Sequence, residues 1–456
     1  MKKIKVHFFG AANTVTGSKF LIETPQHKIL IDCGMFQGIK ELRELNWKDF
    51  PIDASTIDLV LLTHGHLDHT GYLPRLVKQG FRGKIIGTSP TLAITKIILL
   101  DSGKIHEEEA ERANKEGYSK HQPAQPFYTI KEADFTTRFF QAATKDEWIL
   151  FSEDIKFRFR YNGHIIGATF IELELYRKTF VFSGDIGRKQ DPLLFSPEKP
   201  ESADFLFLES TYGNKLHPAD EFEKIIIPLI NNTLQNNGTL IIPSFAVERL
   251  QTLMYLLWKL HKENKIPTIP IFIDSPMGTN VLSVFGQFPE WHKLSINEYH
   301  AMNEYMNIIT SYKETWETID DPRPKIVIAG SGMVTGGRVL TYLKQLIDEH
   351  STSILLAGYQ AEGTRGRKLL EGAQELKFYG KYYPVKAEVH HIESLSAHAD
   401  QDELLDWISD IKNIPEKTFL IHGETESLNA LKRKIDEVHG WPVYIPQLNE
   451  IFNITV

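Results

Sequence analysis

The sequence predicts an α/β protein in two parts, the second inserted into the first. Three observations carry that expectation. Short apolar runs in the first half stop repeatedly at a carboxylate or an imidazole; from about Tyr212 the texture changes to alternating helices and buried strands; near the end the first pattern returns. At 456 residues the chain has length for two or three domains. Its formal net charge of −8 argues against a polybasic binder held by its overall field, although a local cationic cleft stays open to it.

In order along the chain, "HKILIDCG" ends at Asp32, "LVLLTH" at His64, "TFVFSGD" at Asp185 and "ADFLFLES" at Glu209, and much later "KTFLIHGE" ends at His422. Ligands of α/β sheets gather beyond strand ends, so these strands point to one shared rim. Period-two alternation in "FRFRYNGHIIG" and "ATFIELEL" predicts adjacent antiparallel strands with His164 in their connection. Residues 101 to 122 read as an acidic, exposed helix whose Glu107 to Glu109 run is a solvated face. Farther on, Leu250, Leu253, Met254 and Leu257 share one helical stripe, and "TLIIPS", "IPIFIDS", "PKIVIAGSG" and "TSILLAGYQ" read as buried strands of a mainly parallel sheet. The expected boundaries are a first domain of residues 1–210, an insertion of 211–384 and a return over 385–456.

Cys33, the single cysteine, forms no intramolecular disulfide; it reads as a small core residue and makes the cytoplasm the default location. The opening "MKKIKVHFFGAANTVTG" breaks its apolar run before signal-peptide length, and no segment approaches the ~18 to 20 apolar residues of a membrane span.

The chemistry concentrates in "IDLVLLTHGHLDHTGYLP", where a buried strand stops at His64, His66, Asp68 and His69. Imidazole and carboxylate are the usual zinc ligands apart from thiolate. So short a turn cannot bring all four comfortably to one ion, but with His164, Asp185 and His422 there are ligands enough for two. A metal pair ~3.5 to 4 Å apart is the arrangement of two-metal hydrolytic sites. His106, His121, His217, His261, His292, His300 and His350 lack convergent partners in the sequence pattern and are assigned no role.

"THGHLDHTG" resembles the HxHxDH motif of the metallo-β-lactamase superfamily, and Asp32, His164 and Asp185 stand where its other metal-site motifs belong. The insertion, "ESTYGN", "SLSAHAD" and "LIHGE" resemble the β-CASP branch of nucleic-acid-processing nucleases, and "AGSGMVTGGR" and "GYQAEGTRGRKL" its bacterial and archaeal ribonucleases, relatives of the cleavage and polyadenylation specificity factor nuclease. The resemblance covers nearly the whole chain. It implies a metallo-β-lactamase αββα sandwich with an inserted β-CASP α/β domain. It also implies two zinc ions, one held by His64, His66 and His164, the other by Asp68, His69 and His422, with Asp185 bridging and Asp32 orienting a ligand imidazole. His398, held by Glu209, is the implied general acid; the competing reading makes "SAHADQDELLDWI" a plain helix start capped by Ser396 or Asp400 with His398 exposed.

The turn "GSGMVTGGR", placed between a strand and a helix, offers amides to an anionic backbone, which makes Ser331, Gly332 and Met333 candidate substrate contacts along with Ser394 and Ser396. Arg249, Arg338, Arg365 and Arg367 are candidate cations, with a plain surface role for any one at least as good a reading.

The resulting expectation is a zinc-dependent ribonuclease acting on single-stranded RNA threaded between the domains. Hydroxide activated by the metal pair attacks phosphorus, His398 protonates the departing oxygen, and a 5′-phosphate and a 3′-hydroxyl remain. Because the sequence stops soon after its last motif, unlike the ribonuclease J type, endonucleolytic cutting is expected. A homodimer is one assembly left open. The rivals are a DNA nuclease of the same branch, against which His422 in "LIHGE" weighs, a small-molecule hydrolase, and a non-catalytic RNA-binding subunit, against which the intact motifs weigh.

Overall fold

A computed structural model describes residues 2–117, 121–218 and 222–456. The chain divides into two compact units, one formed by Met1–Leu216 and His398–Val456, the other by His217–Ala397.

The first unit contains two seven-stranded sheets. In one, Lys28–Ile31 and Leu59–Leu61 run side by side in parallel, with Lys84–Thr88 beyond them. In the other, Lys178–Phe182, Phe205–Glu209 and Lys417–Ile421 are consecutive parallel neighbours. Parallel neighbours present their carboxyl ends at the same edge of a sheet, which is why strands distant in sequence deliver side chains to one place. The inner faces of both sheets share a phenylalanine-rich core in which Phe182 stacks on Phe207 at 4.1 Å and Phe207 on Phe419 at 4.7 Å between ring centroids. Separate apolar layers cover the outer faces. One joins Leu30, Val60 and Ile85 to Leu73, Leu76 and Leu99 of helices; the other joins Leu206, Leu208 and Leu420 to Leu404, Trp407, Leu428 and Ile435. The layers are therefore helix, sheet, sheet, helix.

The alternation in "IKFRFRY" places Ile155, Phe157, Phe159 and Tyr161 inward and the intervening cations outward, and Ile155–Tyr161 pairs antiparallel with Thr169–Leu175. His164 lies in the connection. The acidic helix departs from expectation. It begins at Ser89, capped by Thr88, runs 28 residues to Glu116 and ends at Gly117 in left-handed backbone, φ 69°. Pro90 to Leu99 pack it against the core, and Ser102, Gly103, Ala110 and Ala113 are buried too, so only part of its circumference is a solvated face. Residues 118–120 of the stretch read as helix lie outside the described residues.

The second unit is built on a six-stranded sheet in which every neighbouring pair is parallel, centred on Lys325–Gly330, Thr239–Ser244 and Thr352–Ala357. Leu250, Leu253, Met254 and Leu257 of helix Arg249–Lys262 are all buried. The strand Glu388–Ile392 pairs with Thr352–Ala357 and so belongs to this sheet. Its sequence, EVHHI, is too polar to read as a buried strand because it lies at the sheet's edge.

Among the described residues no helix is long and apolar enough to cross a membrane.

Candidate metal centre

The strand Leu59–Leu61 leads through His64 into the short helix Leu67–Thr70, for which His66 is the N-cap. That turn lies directly on the segment after Asp32: the Gly34 backbone is so close that a Cβ there would sit 1.5 Å from the Asp68 carbonyl oxygen. Asp32 and His422, each at the carboxyl end of its strand, take left-handed backbone with φ 56° and 49°, an uncommon conformation for side chains other than glycine. Both are re-aimed toward the same space.

Seven candidate ligands converge there. His64 Nε2 and His164 Nε2 lie 3.1 and 3.2 Å from His66 Nδ1. His422 Nε2 lies 3.3 Å from His69 Nε2 and 3.4 Å from Asp68 Oδ2. Asp185 stands between these sets. Its Oδ2 is 3.5 Å from His64 Nε2 and 3.7 Å from His164 Nε2, whereas its Oδ1 is 3.3 Å from His69 Nε2 and 3.4 Å from His422 Nδ1. The two donor groups are thus His64, His66, His164 with Asp185, and Asp68, His69, His422.

The surrounding bonds aim the donor atoms. Asp32, almost fully buried, accepts from the Thr63 amide and hydroxyl at 2.8 and 2.7 Å and faces His69 Nδ1 at 2.7 Å. With its proton at Nδ1, His69 turns the Nε2 lone pair to the cluster. Thr63 Oγ1 is 3.1 Å from His64 Nδ1, which leaves Nε2 of that ring facing inward, and Thr211 Oγ1 is 3.2 Å from His422 Nδ1, a nitrogen that also lies beside Asp185. Asn162 donates to the carbonyls of Ser183 and Asp185 at 2.9 and 2.8 Å and so fixes the turn bearing Asp185. Thr63, Asn162 and Thr211 escaped the sequence reading, although each lies within two residues of a quoted motif residue.

This donor set fits a metal. His66 Nδ1 lies within about 3 Å of both His64 Nε2 and His164 Nε2 and can share a single proton with only one of them at a time, and Asp185 Oδ1 is buried without a hydrogen bond. Burial pushes His64 well below its ordinary value and His66 down to about 4, which keeps both rings neutral as ligands must be. Burial also opposes charge on His69, but the carboxylates of Asp185 and Asp32 outweigh it and hold that ring well above its ordinary value.

Beside the cluster, His398 Nδ1 is 3.2 Å from Glu209 Oε1, and its ring centroid is 4.4 Å from that of His164. Glu209 is fully buried and accepts from the Ile186 and Thr211 amides at 2.9 and 3.0 Å. Although burial opposes charge on His398, the Glu209 carboxylate raises it to about 9. The competing sequence reading is half right: Asp400 does cap helix Gln401–Ile408 through a capping box, but His398 is not exposed, its side chain being 21% accessible. A β-bridge to Gly187 and the bond from the Ala399 amide to the Ile186 carbonyl at 2.8 Å hold it in place.

Ser331, Gly332, Met333, Arg249, Arg365, Ser394 and Ser396 all belong to the second unit. The glycine-rich turn there is largely satisfied by its own unit. The amides of Thr335 and Gly336 donate to Ser331 Oγ at 3.1 and 3.3 Å, and the Met333 carbonyl accepts from the Gly366 amide at 3.1 Å. Arg365 donates to the carbonyls of Lys377, Val334 and Thr335, and Arg249 to that of Ala357. Arg338 donates to Thr315 and stacks 3.6 Å from the Tyr312 ring centroid, and Arg367 pairs with Glu371. Ser394 and Ser396 are buried.

Comparison with known proteins agrees with this organisation. Residues 14–220 match the metallo-beta-lactamase superfamily, 250–369 the Beta-Casp domain and 382–446 the Zn-dependent metallo-hydrolase RNA specificity domain. Ribonuclease TTHA0252 of Thermus thermophilus is 32% identical over 97% of this chain and 98% of its own length. The chain belongs to the β-CASP branch of the metallo-β-lactamase superfamily. As a β-CASP protein with this His/Asp cluster it is a metal-dependent hydrolase. The RNase J-like protein of Methanocaldococcus jannaschii is 29% identical over 99% of this chain and all of its own, and transcription termination factor FttA of the same organism 28% identical over 97% and 70%. A crystal structure of a protein of unknown function from Enterococcus faecalis shares the fold with a TM-score of 0.56 at 14% identity, covering 99% of this chain and 100% of that one.

Proposed function

We propose that this chain is a zinc-dependent ribonuclease that hydrolyses phosphodiester bonds within single-stranded RNA and leaves a 5′-phosphate and a 3′-hydroxyl. The observation that carries the reading is Asp185 facing both donor sets with its two oxygens, next to a histidine held by a buried carboxylate. The match to an RNA specificity domain and the relative named a ribonuclease support RNA as the substrate.

His64, His66 and His164 would hold one ion, Asp68, His69 and His422 the other, with Asp185 between them. Divalent ions bound there supply Lewis acidity toward phosphoryl oxygen and an acidified water at neutral pH. The residues of the chain supply orientation and a proton. Asp32, Thr63 and Thr211 fix the ring faces of His69, His64 and His422. His398 gives its Nδ1 proton to the bond with Glu209, so the proton on Nε2 is the one delivered to the leaving group. Water oxygen ends on phosphorus as part of the 5′-phosphate and releases a proton to solvent, the bond from phosphorus to O3′ breaks, O3′ takes the His398 proton, and His398 regains one from solvent.

Labelled linear and circular RNAs offered to the zinc-loaded protein test the reading. Cutting of both, with 5′-phosphate ends on the products, supports it, and cutting of the linear strand alone replaces internal with terminal cleavage. Tight binding of RNA by fully loaded protein without any cleavage would favour the non-catalytic RNA-binding subunit.

A further inference from the structure

At the carboxyl ends of two neighbouring strands in the second unit, the chain turns from complete burial to display of an aromatic ring. Ser244 and Ala357 close the strands Thr239–Ser244 and Thr352–Ala357 at 2% and 1% exposure. Immediately beyond them, Phe245 is 39% exposed and Tyr359 50%. An isolated exposed ring is ordinary. Two at the same end of one parallel sheet lie where such sheets bind ligands.

The backbone is shaped around the Phe245 ring and ties the two strand ends together. Gly332 lies against Phe245 so closely that a Cβ would come 2.6 Å from Cδ2 and 2.7 Å from Cε2 of the ring. Gly358, in left-handed backbone with φ 99°, leaves room for the Arg249 guanidinium, which a Cβ would meet at 2.3 Å. Arg249 begins the helix that follows Phe245 and donates to the Ala357 carbonyl, so one cation links the two strand ends. Gln360 Nε2 donates to the carbonyls of Gly332 and Gly358 at 3.2 and 3.3 Å and ties the two loops from beneath.

We propose that Phe245 and Tyr359 are a stacking platform for unpaired nucleobases, with Arg249 offering positive charge at the same strand ends. Flat rings beside a guanidinium suit the π-face common to all four bases and the phosphate chain joining them, a recognition chemistry that tolerates sequence. This rests on the ribonuclease reading for the identity of the strand.

The test uses full-length zinc-loaded protein and two ligands of equal length and charge, an RNA of about a dozen nucleotides and its abasic counterpart. Wild-type protein binds the base-bearing strand at least roughly tenfold more tightly, the scale of base stacking on an aromatic ring. The double variant Phe245→Ala with Tyr359→Ala loses that preference to within about twofold while keeping its salt dependence, which reports phosphate contacts. Gly332→Ala displaces the Phe245 ring without removing it and weakens the preference by itself. The pair Phe245→Tyr and Tyr359→Phe keeps it, which separates stacking from misfolding. A wild-type protein indifferent to bases, or a double variant that retains the tenfold preference, overturns the platform. Failure of the wild type to cleave RNA counts against the ribonuclease reading alone, because the binding comparison is read without cleavage.

Discussion

The Asp32 carboxylate bonds at once to the Thr63 amide, the Thr63 hydroxyl and His69 Nδ1, and its proposed part is to orient that ring. Asp32→Asn retains shape but loses the charge that orients His69, and it should lower metal affinity roughly 10- to 100-fold in a chelator competition; unchanged affinity would remove the orienting role. His398→Ala should leave metal content as it is and slow RNA cleavage roughly 10²- to 10⁴-fold. A wild-type cleavage rate in that variant assigns the proton to another group. Lys19 carries a different expectation. It is buried, its ammonium donates to the Gly34 and Gly17 carbonyls at 2.5 and 3.1 Å, and burial pushes it down from 10.5 to about 8. Between those values the unfolded chain holds a proton that the folded chain does not, so stability rises with pH across that window, by at most about 3 kcal/mol because the carbonyl bonds favour the charged form. Denaturant midpoints measured from pH 7 to 10.5 should climb in the wild type relative to Lys19→Met; parallel curves would contradict it.

At the scale of elements, the rim of strand ends was legible because each run of apolar residues stops at its functional side chain, as Lys28–Ile31 does before Asp32 and Lys417–Ile421 before His422. What escaped was set by tertiary context. The first turns of helix Ser89–Glu116 are apolar enough to pass for a buried strand, and only the Thr88 cap with Pro90 behind it marks a helix start. The strand Glu388–Ile392 carries charge because it is an edge, so its pairing partner rather than its composition reveals it. Thr63 and Thr211 read as ordinary strand-end residues until the imidazoles they orient are in place. The close approach of two segments gives an element-scale prediction. Gly34→Ala puts a Cβ on the Asp68 carbonyl, and the metal turn must shift or the Asp32 segment must. Overpacking of that kind costs about 1 to 3 kcal/mol, and because the displaced backbone bears Asp68 and His69 the variant should lose metal affinity along with thermal stability. A variant that loses stability with metal affinity intact would separate the two.

Over the whole molecule, residues from both long segments of the first unit, from Asp32 to His422, meet at one cluster, so folding of that unit and assembly of the centre are linked. The second unit presents a parallel sheet whose carboxyl end carries exposed aromatic rings and a glycine-rich turn closed by its own bonds, a surface that the sequence expressed only as a glycine pattern. Ligands scattered over the chain stabilise the fold when they share an ion, since binding to the folded state alone draws the equilibrium toward it. In the proposed centre Asp185 joins two metal sites. Anomalous diffraction at the zinc edge from crystals of the zinc-loaded protein measures it directly. Two peaks ~3.5 to 4 Å apart are expected, one against His64, His66 and His164, the other against Asp68, His69 and His422, with an Asp185 oxygen at each. A single peak, or a second one with Asp185 outside its reach, would contradict it.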